Sequence, residues 1–325
     1  MNNTHKPLTD AQVAQFHAQG YVMVPDIFTA EDLEPLRQEI AGLIDEEAQK
    51  LAHEGMITDL HQDASFETKL TRLLADYPEL EGRFMRAIEG KEGGGHTGEE
   101  MFRVLTHPKL LDAMESLVGP EIIASSVYRI RPKVPKLGRG VVPWHQDSGY
   151  FAPHCDKDLI VTCWLPLVNA TPENGCLQVL PQAHREGVVT HHTGGNAGFL
   201  VIEEDNLPRP AQQTVTVPVP LGGALLLTNT TPHCSTPNLS DTIRWSIDLR
   251  YQGANAPTNA FQMPDEFDAE APPFQIACYA PEGDFVVRSP ADPSRVHSYE
   301  QYVARRRGYE AANSLPHPQR GWQPV

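Results

Sequence analysis

Residues 223–251 read GALLLTNTTPHCSTPNLSDTIRWSIDLRY. Three short runs, 223–229, 233–236 and 242–251, are cut apart by Thr, Pro, Asn and Ser clusters. Short apolar and β-branched runs bounded by turn formers predict strands. Toward the N-terminus the same signature recurs at 122–130, 141–147, 158–168, 176–181 and 212–219, giving eight candidate strands. Such spacing predicts an all-β sandwich or barrel. Many of the 29 prolines bracket these runs, where edges and turns tolerate a missing N–H. The stretch 182–210 is a long insertion between the fourth and fifth candidates. Loops of that length are usually functional lids or mobile segments.

Before residue 120 the period is helical. Thr9 is a natural N-cap for a helix over 9–19, with Val13, Phe16 and His17 on one side. Gly20 ends it, and Tyr21–Val24 reads as a short strand. Thr29 opens a helix over 30–50, with Leu33, Leu36, Ile40, Leu43 and Ile44 at i, i+3, i+4 spacing. Further helices are expected near 67–88 and 108–117, separated by a Gly-rich, charged break at 91–100. The Pro-rich tail, 255–325, holds one helical patch near 298–312. The chain is expected to form one domain over 1–325. Its parts are a helical portion (1–120), a β core (121–252) and a C-terminal extension (253–325).

The 325 residues carry 26 basic and 42 acidic side chains, a net charge of −16. That balance argues against nucleic acid, whose sequence-independent affinity comes from Lys and Arg displacing counterions. It argues equally against an anionic membrane surface. Five cysteines with no C-x-x-C suggest neither a disulfide framework nor a zinc knuckle. The opening MNNTHKPLTDAQ has no apolar region, and no run approaches the ~18 apolar residues of a membrane span. A soluble protein of the reducing cytoplasm is expected. Gly93-x-Gly95-x-x-Gly98 has the form of a dinucleotide fingerprint, but no buried strand precedes it and Glu92, Glu99 and Glu100 would repel a pyrophosphate.

The chemistry centres on Trp144-His145-Gln146-Asp147, within the second candidate core strand. On a strand, side chains alternate, so His145 and Asp147 share a face. They form two corners of a metal site. His233, 88 residues later, is the leading third ligand. Two histidines and one carboxylate form the facial triad of non-haem Fe(II) oxygenases, which leaves positions open for substrates. Arg244 lies eleven residues past His233, and Ser246 shares its face two residues on. A buried Arg grips a carboxylate bidentately, and a hydroxyl can share the load. A dicarboxylate held there could reach iron with its other end, which describes 2-oxoglutarate. His184, His191 and His192 lie in the insertion without a carboxylate at ligand spacing, and are expected to face solvent or substrate. Arg305-Arg-Arg307 is expected to be a solvated helix face.

The segments WHQDSGYF (144–151), TCWLPL (162–167) and ENGCLQVLPQAH (173–184) resemble the phytanoyl-CoA dioxygenase family. So do HCSTPNLS with IRWSIDLRY (233–251) and the opening LTDAQVAQFHAQGYVMVPDIF. The resemblance covers about residues 8–251. It implies a double-stranded β-helix (jelly-roll, cupin-like) core, mainly β with flanking N-terminal helices. It implies that His145, Asp147 and His233 bind Fe(2+), and that Arg244 and Ser246 bind the distal carboxylate of 2-oxoglutarate, O2 being the other cosubstrate. It places Trp164 in the cosubstrate pocket. It implies a further contact from Val127-Tyr-Arg-Ile130, assigned to Arg129, and a lysine near the cosubstrate, assigned to Lys91 by its spacing from Phe102. Halogenases related to the family carry a small residue in place of the carboxylate. Asp147 is present, which implies hydroxylation or another oxidation.

Two other readings stay open on sequence. One is a non-catalytic jelly-roll binding module with a structural metal. The other is a zinc hydrolase using the same ligands and a bound water, which leaves Arg244 without a role. For the oxygenase, a small-molecule substrate is expected, and a free metabolite before an acyl-CoA. The insertion sets Arg185 and Arg209 against Glu186, Glu203, Glu204 and Asp205, so it offers no basic funnel for CoA phosphates. The oligomeric state is not legible.

Overall fold

The structure is a computed structural model that describes residues 8–89, 96–125, 128–136, 140–151, 153–193, 199–254, 256, 285–312 and 320–324. Helix α1 (Asp10–Gln19) and helix α2 (Ala30–His53) begin where their caps dictate. Thr9 and Thr29 each close a capping box with the side chain three residues on, Gln12 and Asp32, which satisfies two orphan N–H groups per helix. Between them runs β1 (Tyr21–Val24). Gly20, at φ +84°, turns the chain, and a Cβ there would lie 2.5 Å from both His184 and Thr231. The helix expected over 67–88 is two helices, α3 (Lys69–Asp76) and α4 (Glu81–Glu89). Pro78 separates them by forcing Tyr77 out of helical geometry (φ −134°, ψ 64°). Helices α5 (Glu99–Leu105) and α6 (Pro108–Val118) complete the N-terminal layer. The sequence pattern gave no sign of α5.

The strands are β2 (Ile122–Ala124), β3 (Arg129–Lys133), β4 (Ile160–Pro166), β5 (Leu177–Val179), β6 (Val215–Val217), β7 (Ala224–Thr228), β8 (His233–Ser235), β9 (Arg244–Gly253) and β10 (Phe285–Arg288). They form two antiparallel sheets. The larger runs β1-β7-β4-β9-β2-β10, with β3 also paired to β9, and the smaller runs β6-β5-β8. This is the jelly-roll anticipated from sequence. Helix α7 (Tyr299–Ala312) packs near α5.

Alternation along β4, β7 and β9 divides the interior. Val161, Cys163, Leu165, Leu226, Trp245, Ile247, Leu249 and Tyr251 join Leu33, Leu36 and Ile40 in one core between the large sheet and the helices. Residues of the other parity face the small sheet. There Trp164, Leu225 and Leu227 pack with Leu177 and Val179. On β9 that inner face is polar throughout: Arg244, Ser246, Asp248 and Arg250.

Three expectations need correction. The candidate strand 141–147 forms only one bridge, His145 to His233. Pro143 has no N–H to give, and the chain turns into a 3-10 helix at Asp147–Tyr150. The single run 122–130 is two strands. The Arg305–Arg307 run is not a solvated face, because Arg306 is buried with its guanidinium 4.4 Å from the Tyr128 ring centre. Strand β10 was not anticipated, since its short run lies in a Pro-rich tail and its partner is β2, far away in sequence.

Candidate active site

His145 and Asp147 converge for a reason other than the strand alternation expected. His145 and His233 exchange backbone hydrogen bonds across their bridge (3.0 and 2.9 Å), which sets the two imidazoles side by side with ring centres 4.2 Å apart. The 3-10 turn then folds Asp147 back, so that Oδ1 lies 3.8 Å from His145 Nε2. One ligand atom from each of His145, Asp147 and His233 lies within 4.8 Å of the others. All three residues are buried.

The groups around the triad orient it. His145 Nδ1 donates to the Pro143 carbonyl (2.9 Å) and His233 Nδ1 to the Thr231 carbonyl (3.0 Å). Both Nε2 atoms are thereby left as inward lone pairs, the arrangement a metal-ligating histidine needs. Burial, followed by the neighbouring His233, pushes His145 down to about 3, so its imidazole is neutral. Asp147 accepts from Arg250 Nη2 (3.1 Å) and from Thr162 Oγ1. Burial alone would raise its pKa, but Arg250 and the two histidines outweigh burial and hold it well below the usual carboxylate range. Two imidazoles with inward Nε2 atoms and a fixed carboxylate suit a divalent ion of intermediate softness such as iron.

The turn itself is braced from outside. His191 Nε2 accepts from the Gln146 N–H (3.0 Å). A Cβ on Gly149 would lie 2.6 Å from that imidazole, so only glycine fits. Trp322 packs at a tilt against His191, with ring centres 5.3 Å apart, and donates to the Gly149 carbonyl (2.8 Å). Gln146 reaches the other way, donating to the carbonyls of Gly187 and Thr230. The insertion therefore carries no second metal cluster among the described residues. His191 is a buried acceptor, and His184 contacts the His17 carbonyl.

A cavity of about 410 Å³ contains the triad at one end and Arg244 and Ser246 at the other. Arg244 is 2% exposed. Its guanidinium folds back along β9 to donate to Ser246 Oγ and lies 5.1 Å from the Trp164 ring centre. Trp164 is the register partner of Asp248, so the guanidinium points toward the middle of the cavity. Among the described residues no carboxylate lies within ion-pair distance of Arg244, and its Nε has no hydrogen-bond partner. Burial brings its pKa down to about 10, with Asp248 opposing the fall.

The structure thus brings together His145, Asp147, His233, Arg244, Ser246 and Trp164. Arg129 also lines the cavity, but it stands opposite Asp248, four residues along β3 from the partner of Arg244. Lys91 lies outside the described residues. Sequence reasoning missed Thr162, Arg250, Asp248, Arg131, Lys133 and Ser235, all on the cavity wall. A signal was present: Asp248 and Arg250 share the parity of Arg244 on β9, so they had to face the same way.

The sequence pattern of the phytanoyl-CoA dioxygenase family matches residues 16–246. The chain belongs to this family. It is accordingly an Fe(II)- and 2-oxoglutarate-dependent oxygenase, and the donor set above fits that chemistry. Phytanoyl-CoA dioxygenase domain-containing protein 1 of Danio rerio is 24% identical over 73% of this chain and 87% of its own length. Phytanoyl-CoA dioxygenase of Arabidopsis thaliana is 22% identical over 79% of this chain and 98% of its own. Among solved structures, EctD from S. alaskensis with 2-oxoglutarate and 5-hydroxyectoine is 20% identical, with a TM-score of 0.51 over 79% of each chain. No helix among the described residues is long and apolar enough to cross a membrane.

Proposed function

We propose that the protein hydroxylates an unactivated C–H bond of a small-molecule metabolite, using His145, Asp147 and His233 to hold Fe(II) and Arg244 with Ser246 to hold the distal carboxylate of 2-oxoglutarate. The observation that carries the reading is one cavity joining the buried His-Asp-His triad to a buried guanidinium that has no carboxylate partner among the described residues. Iron bound there, with 2-oxoglutarate and O2, supplies an oxidation that yields succinate, CO2 and one oxygen atom for the substrate.

The chain's own residues bind, orient and exclude water. The two Nδ1–H···O=C bonds fix the imidazoles, and Arg250 and Thr162 keep Asp147 ionised in one rotamer. Trp164 walls the path between the two ends, and its indole keeps the Arg244 guanidinium in place by cation–π attraction. Tyr150, Phe199 from the insertion and Met85 from α4 give the cavity a partly apolar wall for substrate.

A free metabolite is favoured over an acyl-CoA. Arg209, a cation of the insertion, is already paired with Glu186 (2.9 Å), so it is not available to CoA phosphates. The four described cysteines are buried and free, which fits the cytoplasm proposed for the chain. The test is substrate-stimulated succinate release from the Fe(II)-loaded protein, screened over free metabolites and acyl-CoA esters. Stimulation by CoA esters alone would overturn the substrate assignment. No succinate with any compound, and no binding of 2-oxoglutarate without oxygen, would overturn the function.

A further inference from the structure

We infer that the segment 320–324 is a strap that positions the metal-holding turn, with Arg320 and Trp322 as its positioning residues and Fe(II) affinity as the property they set. The inference rests on the iron site proposed above. It adds residues that lie outside both the triad and the cavity lining.

The 3-10 helix Asp147–Tyr150 carries two groups that matter to the site. Asp147 offers a ligand oxygen, and Tyr150 lines the cavity with its ring edge-on to His145, ring centres 6.1 Å apart. Gly149 and Phe151 are buried, and buried carbonyls need donors. The strap supplies one to each. Trp322 Nε1 donates to the Gly149 carbonyl (2.8 Å) and Arg320 Nε to the Phe151 carbonyl (2.5 Å). The rest of the Arg320 fork grips both carboxylate oxygens of Asp156, with Nη1 2.8 Å from Oδ2. A bidentate pair fixes a guanidinium in direction as well as in place, and the Arg320 side chain is only 8% exposed.

The same segment also binds the insertion. The Thr193 N–H donates to the Gln323 carbonyl (3.0 Å), and Thr193 forms a parallel bridge with Pro324. The insertion in turn reaches the metal-holding turn. The Leu200 N–H donates to Tyr150 Oη (2.8 Å), and His191 Nε2 accepts the Gln146 N–H (3.0 Å). Strap, insertion and turn thus form a closed circuit of hydrogen bonds that takes in the backbone on both sides of Asp147. Arg250 and Thr162 decide how the Asp147 carboxylate points. Where its backbone stands is a separate matter, and a ligand set must be held within about 0.5 Å of its productive geometry. The strap acts on that backbone, through carbonyls two and four residues past the ligand. It complements Asn229, whose carbonyl accepts the Ser148 N–H (2.9 Å).

The experiment uses the full chain without oxygen and two probes, Fe(II) and 2-oxoglutarate. Fe(II) affinity is read by competition with a chromogenic chelator, and 2-oxoglutarate affinity by calorimetry at saturating Fe(II). Trp322→Phe keeps a ring against His191 and loses the N–H to Gly149. Arg320→Met loses the bonds to Phe151 and Asp156. Together they should weaken Fe(II) by about 10-fold, the low end of the loss that follows removal of a ligand's hydrogen-bond partner. Binding of 2-oxoglutarate at saturating Fe(II) should change by less than about twofold, since sites without shared partners are nearly independent. Trp322→Phe alone should weaken Fe(II) by about threefold, and it decides the matter if the double variant does not fold. Unchanged Fe(II) affinity in Trp322→Phe, or equal weakening of both probes, would overturn the inference by reducing the strap to general packing. A wild-type protein that binds no Fe(II) would instead sink the iron site, and this inference with it.

Discussion

At the Asp147 end of the cavity every charge has a counterpart: carboxylate against guanidinium, both imidazoles against carbonyls, the turn clamped by His191 and Trp322. At the other end Arg244 and Lys133 are register partners, bonded to hydroxyls and a carbonyl and, among the described residues, to no carboxylate. Both ends draw on β9, through Arg250 at one and Arg244 at the other. The paired end behaves as a rigid holder whose geometry exists before anything binds. The unpaired end stores an electrostatic deficit that a dianion relieves. Removing one group should therefore have opposite consequences for stability at the two ends.

The largest effect is expected from breaking the paired end. Asp147→Ala should abolish succinate formation and lower folding stability by about 3–5 kcal/mol, because it breaks the buried Asp147–Arg250 ion pair. Adding Arg250→Met should recover most of that stability with no recovery of turnover, as urea titration of single and double variants would establish. If the single variant were as stable as wild type, the pairing at this end would carry no weight. Arg244→Met comes next. It should raise the KM for 2-oxoglutarate by about 10- to 100-fold while leaving cosubstrate-free stability unchanged or higher. A large loss of stability would show that the unpaired end was not under strain.

The smallest effect concerns pH. Burial lowers His191 from its ordinary 6.5 to about 4, so the unfolded chain takes up its proton first as the medium acidifies. Stability tied to His191 is complete above pH 6.5 and drains away as pH falls toward 4. His191→Gln cannot titrate. Between those limits its denaturant midpoint should decline less steeply than that of wild type, and parallel declines would remove His191 from the clamp.

The parts of this architecture that are local in sequence were legible. Thr9 and Thr29 announce their helices because capping is decided within four residues. The runs that became β4, β7 and β9 stood out because their helix-facing residues are apolar. Strand β3 did not stand out as a separate strand, since its inner face is Arg129, Arg131 and Lys133 and Pro132 interrupts it. Its identity depends on β9, over a hundred residues later. The triad was found through residue type and spacing, yet the reason given for the His145–Asp147 alignment was wrong. A bridge to His233 and a 3-10 turn do the work assigned to a strand, and both depend on a partner that no local window contains.

The clamp on the Asp147 turn has a consequence in time. Trp322 follows Gly149 by 173 positions, and at a synthesis rate of about 5–20 residues per second that separation is roughly 10–35 s of translation. Throughout that interval the nascent turn has no indole over His191. Metallation of a growing chain would meet a looser holder than the finished protein presents.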